Sequence, residues 1–428
     1  MPVRRGIVVA VTTIRATVLH TPSPDRLDVL VDQAIEIDDT GRIERIGAAG
    51  PDAHADVVLP DDTVIVPGFV DTHLHAPQWP QLGTALDLPL DQWLFEYTFP
   101  LEARFADLEF ARQVWDHMVP SLLRHGTTTV TYYASIHEAA TTALAETCAR
   151  LGQRAFVGRC AMDHPDGTPE WYRDPSPEAS IAASARSIDE IRAIGSQLVQ
   201  PIITPRFIPA CTDEALTGLA ALAADTDTLI QTHCSEGDWE HGHVLERCGV
   251  TDAHALDRFG LMREHTVLAH ATHLDDTDRA LIAQRGAGVA HCPLSNVYFS
   301  ERAFSARAAI EAGVRVGLGT DIAGGPSPSL FAQCGHAMVA GRRRVDEGEA
   351  DARVDTTTAF WMATAGGADL LGVDAGVIEA GRWFDAVAIR LPDQVVPDGD
   401  WASRFERLVR LATPNDIRSV WVAGRQVV

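Results

Sequence analysis

The middle of the chain repeats one rhythm: a stretch of helical period ends in glycine, and a short β-branched apolar run follows. Arg124-His125-Gly126 precedes TTTVTYYA, Arg150-Leu151-Gly152 precedes QRAFVGRC, Gln284-Arg285-Gly286 precedes AGVAHC, and Glu311-Ala312-Gly313 precedes VRVGLGTD. Glycine just past a helix end takes up left-handed backbone at little cost, so each joint marks a helix stop before a strand. Runs of this kind predict eight strands, at 68–75, 127–134, 154–162, 199–207, 228–234, 266–271, 288–293 and 314–321. Amphipathic helical stretches such as 213–224 and 276–284 lie between them. Near-continuous apolar strands alternating with helices imply a parallel sheet covered on its outer face. Eight such units predict the α/β class and a (β/α)8 TIM barrel. An open doubly wound sheet is the structural rival, and it would bind its ligand at a single switch point.

The two ends read differently. Residues 5–66 and 376–428 are short strands and turns, and neither end makes a complete module alone. The expected organisation is an N-terminal part of a β-sandwich (1–66), the barrel (67–372) and a C-terminal part of the same sandwich (373–428). Met1 to Ala10 reads as a first strand and not as a signal peptide, for lack of a long apolar core and a small-residue cleavage site. Asp38-Asp39-Thr40-Gly41 reads as a hairpin turn, and the polar stretch 345–354 is the nearest thing to a linker.

Charge narrows the function classes. The 428 residues carry 35 basic and 59 acidic side chains, a net charge of −24. That argues against a nucleic-acid backbone or an anionic membrane as partner, since both call for a basic surface. No lysine occurs, so every basic residue is arginine. Schiff-base chemistry, a P-loop and a metal pair bridged by a modified lysine are thereby excluded. The 7 cysteines are scattered without a C-x-x-C pair, as suits a reduced, cytoplasmic protein.

The candidate chemistry lies at the strand ends. Strand 1 finishes His73-Leu74-His75, strand 5 finishes His233-Cys234-Ser235-Glu236, strand 6 finishes at His270, and strand 8 finishes Gly319-Thr320-Asp321. Active sites of this barrel sit at the C-terminal ends of its strands, so these groups converge on one mouth. Several imidazoles with one carboxylate suit zinc, with iron and manganese as alternatives. Taken singly, an H-x-H among 17 histidines is unremarkable, and Asp321 before Ile322-Ala323-Gly324-Gly325 has the makings of a turn. The joint placement on four strands carries the argument. Glu236, three residues beyond His233, is placed to shuttle protons. Other histidines, among them His20, His54, His117, His241 and His243, show no such placement and read as surface or loop residues. The H-x-E and P-C-x-x-C signature of the base-editor type of zinc enzyme is absent.

Gly68-Phe69-Val70-Asp71-Thr72-His73-Leu74-His75, with the strand-end groups above, resembles the metal-dependent amidohydrolase superfamily. The stretches HAPQW (75–79), DLPLDQWLFEYTFPLE (87–102), TPRF (204–207), HCPLSN (291–296) and GTDIAGG (319–325) resemble its guanine-deaminating members. The resemblance implies one Zn2+ per chain on His73, His75, His233, His270 and Asp321, with His270 either a ligand or the holder of a water. It implies catalytic roles for Glu236, Asp321 and His270, and purine contacts from Gln78, Arg206, Phe207, His233 and Asp321. The activity implied is hydrolysis of guanine to xanthine and ammonia, with Glu236 protonating the ring nitrogen and then the leaving amine. A small-molecule purine or related heterocycle is the expected partner, and a homodimer follows by analogy. The rivals are the same chemistry, or loss of chloride, on a pterin, 8-oxoguanine or aminotriazine, and an inactive barrel used in assembly. Three features depart from the family pattern: Val297-Tyr298-Phe299-Ser300-Glu301, Trp239, and Trp79 where tyrosine is common.

Overall fold

A computed structural model describes residues 12–50, 54–300, 302–392 and 399–428. All eight expected strands form, and they run parallel in one barrel. They are Phe69–His75, Thr127–Tyr133, Arg154–Gly158, Val199–Pro205, Leu229–Cys234, Val267–His270, Gly288–His291 and Arg315–Leu318. Hydrogen bonding is unbroken from the first strand to the eighth. The first and eighth strands then close the circle by separate contacts. Thr72 Oγ1 donates to the Leu318 carbonyl at 2.9 Å, and the Asp321 N–H donates to the His73 carbonyl at 2.9 Å. Close approach at this seam depends on Gly317, where a Cβ would lie 2.5 Å from Thr72 Cγ2 and 3.0 Å from Gly367 Cα.

The helix stops are as expected. Gly126, Gly152, Gly286 and Gly313 have φ of 82°, 79°, 68° and 82°. The stretches expected as helices span Asp213–Thr226 and Asp276–Arg285, the latter opened by an Asp275/Asp278 capping box. Between the first strand and its helix Leu108–Arg124, the chain makes a long excursion through Leu90–Trp93 and Phe99–Ala103. That excursion forms one wall of the barrel mouth.

Strands from both termini meet in one eight-stranded sheet. Ala386–Arg390 pairs antiparallel with Thr63–Pro67 on one side and with Ile417–Val422 on the other. Thr63–Pro67 in turn leads to Thr12–Ser23, Arg26–Ile37 and Ile43–Ala48. Ile14, Val18, Ile35, Ile65, Phe384 and Trp421 form its own apolar core. A buried Arg154–Asp385 pair, at 3.1 Å, ties the third barrel strand to this sheet. The strand expected over Met1–Ala10 lies outside the described residues. The turn at Asp38 is present, with the Asp38 carboxylate accepting from the Thr40 and Arg42 N–H groups and Gly41 at φ 92°.

Three readings need correction. The stretch 345–354 is no linker: the eighth barrel helix, Leu330–Asp346, runs into it, and Arg344–Glu349 and Ser305–Glu349 contacts fold it back onto the barrel. The C-terminal segment is not purely β-like, because Trp401–Leu411 is a helix capped by Asp400. Its Phe405, Leu408 and Val409 recur at helical spacing and pack into the barrel's outer core, with Phe405 edge-on to Phe360. His20 is buried and not a surface residue, its Nδ1 accepting the Ile378 N–H at 3.2 Å. Among the described residues, no helix is long and apolar enough to cross a membrane.

Candidate active site

Every strand-end group expected at the mouth is there and buried. His73 Nε2 lies 3.1 Å from Asp321 Oδ1, His75 Nε2 lies 3.6 Å from the same oxygen, and His75 Nε2 lies 3.0 Å from His233 Nε2. His270 Nε2 is 3.8 Å from Asp321 Oδ2 and 3.6 Å from Glu236 Oε1. The strand ends are pulled into unusual backbone to achieve this: Ser235, His270, Ala271 and Asp321 have φ of 45°, 70°, 51° and 49°. Non-glycine residues in that region are strained, and four of the nine such residues among those described lie at or beside the cluster.

The donor set fits a divalent metal. Burial pushes His73, His75 and His233 well below the ordinary histidine range, and the neighbouring imidazoles and Arg206 add to the effect. The rings are therefore neutral, the state a metal ligand requires. Two of them are fixed in tautomer by their other nitrogen. His233 Nδ1 donates to the Arg206 carbonyl at 2.6 Å, and His270 Nδ1 donates to Asn296 Oδ1 at 2.9 Å. Their Nε2 lone pairs are thus directed inward. His73 Nε2 and His270 Nε2 are buried with no hydrogen-bond partner, and the Nε2 atoms of His75 and His233 face each other at 3.0 Å. A cation at the centre of the cluster gives the unpartnered nitrogens a partner.

Beside the cluster lies a cavity of about 460 Å³, lined by Gln78, Arg206, Phe207, Glu236, Trp239 and Phe299 among others. All the expected purine contacts border it. Arg206 is buried, stacked 5.0 Å from the Phe99 ring, and held charged by Glu102 although burial opposes the charge. Gln78 Oε1 accepts the Ala323 N–H at 3.0 Å while its Nε2 donates to Glu102 Oε1 at 2.9 Å. Glu236 is no solvated loop carboxylate: its side chain is 12% exposed. Burial first, and then the Asp321 charge, pushes its carboxyl well above the ordinary range. Of the three departures, Trp239 and Phe299 line the cavity, Glu301 lies outside the described residues, and Trp79 turns away to donate from Nε1 to His117 Nδ1 at 3.0 Å.

Sequence reasoning passed over four buried groups. Asp71 accepts from the Thr320 N–H and Oγ1 at 2.9 and 2.6 Å, and so holds the eighth strand's end against the first. Burial raises its carboxyl to about 7. Asn296 orients His270, Tyr133 packs 4.7 Å from His73, and Glu102 gathers Gln78, Arg206 and Tyr172. Asn296 and Glu102 stand inside the motifs quoted above, but a motif does not say which of its residues point at which others.

Residues 64–427 match the amidohydrolase family, and the chain belongs to it. The guanine deaminase of Dictyostelium discoideum is 34% identical over 440 residues, covering 96% of this chain and 97% of that protein. The solved guanine deaminase from C. acetobutylicum, with guanine bound in its active site, superposes with a TM-score of 0.92 at 28% identity, over 98% of this chain and all of that one. An adenosine deaminase from Xanthomonas campestris with bound zinc gives 0.84 at 26% identity, covering 97% of this chain and 92% of that one.

Proposed function

We propose that this protein hydrolyses guanine to xanthine and ammonia, using one zinc ion held by His73, His75, His233 and Asp321, with His270 beside it. The observation that carries the reading is the adjacency of two half-sites: an imidazole–carboxylate cluster, and a slot bordered by the donors of Gln78 and Arg206 and by the Phe207 ring. A flat ring with a carbonyl fits that slot, because arginine and the amide N–H donate to oxygen and ring nitrogen while Phe207 stacks. Zinc supplies Lewis-acid activation of water at neutral pH. The protein's own groups do the rest. Asp321 and His270 orient the water and take up its proton. Water oxygen bonds to the amino-bearing carbon as Glu236 delivers a proton to the adjacent ring nitrogen. The new hydroxyl then gives up its proton, which Glu236 carries to the amine as the C–N bond breaks and ammonia leaves. The proton taken up at Asp321 returns to Glu236 to close the cycle. The absence of lysine, and the convergence of the candidate ligands among the described residues on one compact cluster, support a single metal.

Ammonia release measured as kcat/KM across guanine, 8-oxoguanine, pterins, cytosine, aminotriazines and adenine tests the substrate. Guanine is expected to lead. Another ring ahead by tenfold, or chloride release from a chlorinated ring alone, overturns the reading. Elemental analysis is expected to give one zinc per chain, and two equivalents would refute the single-metal claim.

A further inference from the structure

Glu102 is fully buried and does not line the cavity, yet it contacts both groups that read the substrate's far edge. Its Oε1 accepts from Gln78 Nε2 at 2.9 Å and from Arg206 Nη2 at 3.1 Å. Its Oε2 accepts from Arg206 Nη1 at 2.6 Å and from the Tyr172 hydroxyl at 3.1 Å. A carboxylate offers about four lone-pair sites, and all are taken here. The Gln78 amide is thereby constrained at both ends, since its Oε1 already accepts the Ala323 N–H at 3.0 Å. Turning that amide over would set NH2 against a backbone N–H and carbonyl oxygen against a carboxylate. The only Gln78 hydrogen left for a ligand is the second one on Nε2, and arginine has donors alone.

We propose that Glu102 is a positioning residue that fixes the polarity of the recognition edge, making it all-donor, so that the site accepts a ring edge bearing a carbonyl and rejects one bearing an amine. The inference rests on the functional reading above and assigns its specificity to a residue that never touches the substrate. A site built to satisfy one hydrogen-bond pattern rejects the reversed pattern strongly, because buried groups are left unpaired.

The discriminating pair is guanine and 2,6-diaminopurine, which share the leaving amine at C2 and differ at C6 in carbonyl against amine. Products are separated by chromatography and kcat/KM is taken for each. The wild type is expected to prefer guanine by on the order of 10⁴. Glu102→Gln, isosteric but with one acceptor replaced by a donor, is expected to lower that ratio at least tenfold, mainly through KM for guanine, with zinc content unchanged. A ratio lowered less than tenfold overturns the proposal even if both substrates slow, since an equal loss is what a merely structural residue would cause. Should Glu102→Gln fail to fold, Tyr172→Phe removes one of the four donors and leaves the cavity lining intact. It must then lower the ratio at least threefold, and a smaller change overturns the proposal. A wild type inactive on guanine refutes the functional reading instead, and the Glu102 ratio is then read on whichever ring is turned over, with and without its carbonyl.

Discussion

Replacing Glu236 by Gln keeps the volume and one carbonyl oxygen but removes the capacity to pass a proton. Among the described residues, the other carboxylates near the cavity are wholly or partly engaged. Glu102 is saturated by Arg206, Gln78 and Tyr172, Asp321 stands 3.1 Å from His73, and Glu240 accepts the Glu236 backbone N–H at 2.7 Å. Glu236 and Glu240 both line the cavity, and Glu236 is the one that reaches the cluster, with Oε1 at 3.6 Å from His270 Nε2. General acid–base groups contribute about 10²–10⁴-fold. The expected loss in kcat for Glu236→Gln is therefore about 10²–10⁴-fold, or about 3–5 kcal/mol of transition-state stabilisation. Because Glu236 acts on protons that move only during reaction, KM for guanine should change little. The assay is steady-state ammonia release at saturating guanine, with zinc per chain measured on the same preparation. A rate within tenfold of wild type would falsify the shuttle assignment, and loss of zinc would make Glu236 a ligand.

Three further predictions follow from other parts of the molecule. Asn296→Ala frees the His270 ring and should lower zinc affinity or turnover by about 10–100-fold; titration with a chelator and a rate within twofold of wild type would show that the ring is set elsewhere. His291 is buried with neither ring nitrogen hydrogen-bonded, and burial lowers its pKa to about 3. It binds its proton more readily unfolded, so stability is full above about pH 6.5 and falls as the pH drops toward 3, by about 2 kcal/mol at pH 5. Denaturant unfolding of His291→Leu should show about 2 kcal/mol less loss between pH 7.5 and 5 than wild type, and identical losses refute this. Gly317→Ala places a methyl 2.5 Å from Thr72 Cγ2 at the barrel seam and should cost about 1–3 kcal/mol in thermal unfolding; an unchanged Tm means the seam yields freely.

The strands and their helix stops were legible along the chain because both are local. A glycine after a helical stretch needs only its own φ, and a β-branched run needs only its own residues, so Gly126, Gly152, Gly286 and Gly313 read correctly. The convergence of His73, His75, His233, His270 and Asp321 was also legible, because the barrel's topology sends every strand's end to the same mouth. Two misreadings share a cause. The helix Trp401–Leu411 and the buried His20 sit in segments whose neighbours in sequence are strands and loops, and their burial comes from partners far along the chain.

What only the tertiary structure decided is the pairing of polar groups across large separations. Glu102 meets Arg206 across 104 residues, Gln78 meets Ala323 across 245, and Asp71 meets Thr320 across 249. No local pattern encodes such a pair, since a carboxylate in TFPLEARF looks the same whether it faces water or a buried guanidinium. The sequence by itself determined which elements form and which chemistry is present at their ends. Closure of the barrel determined which of those groups lose their water, and a buried polar group that has lost its water must take the partner the fold brings to it.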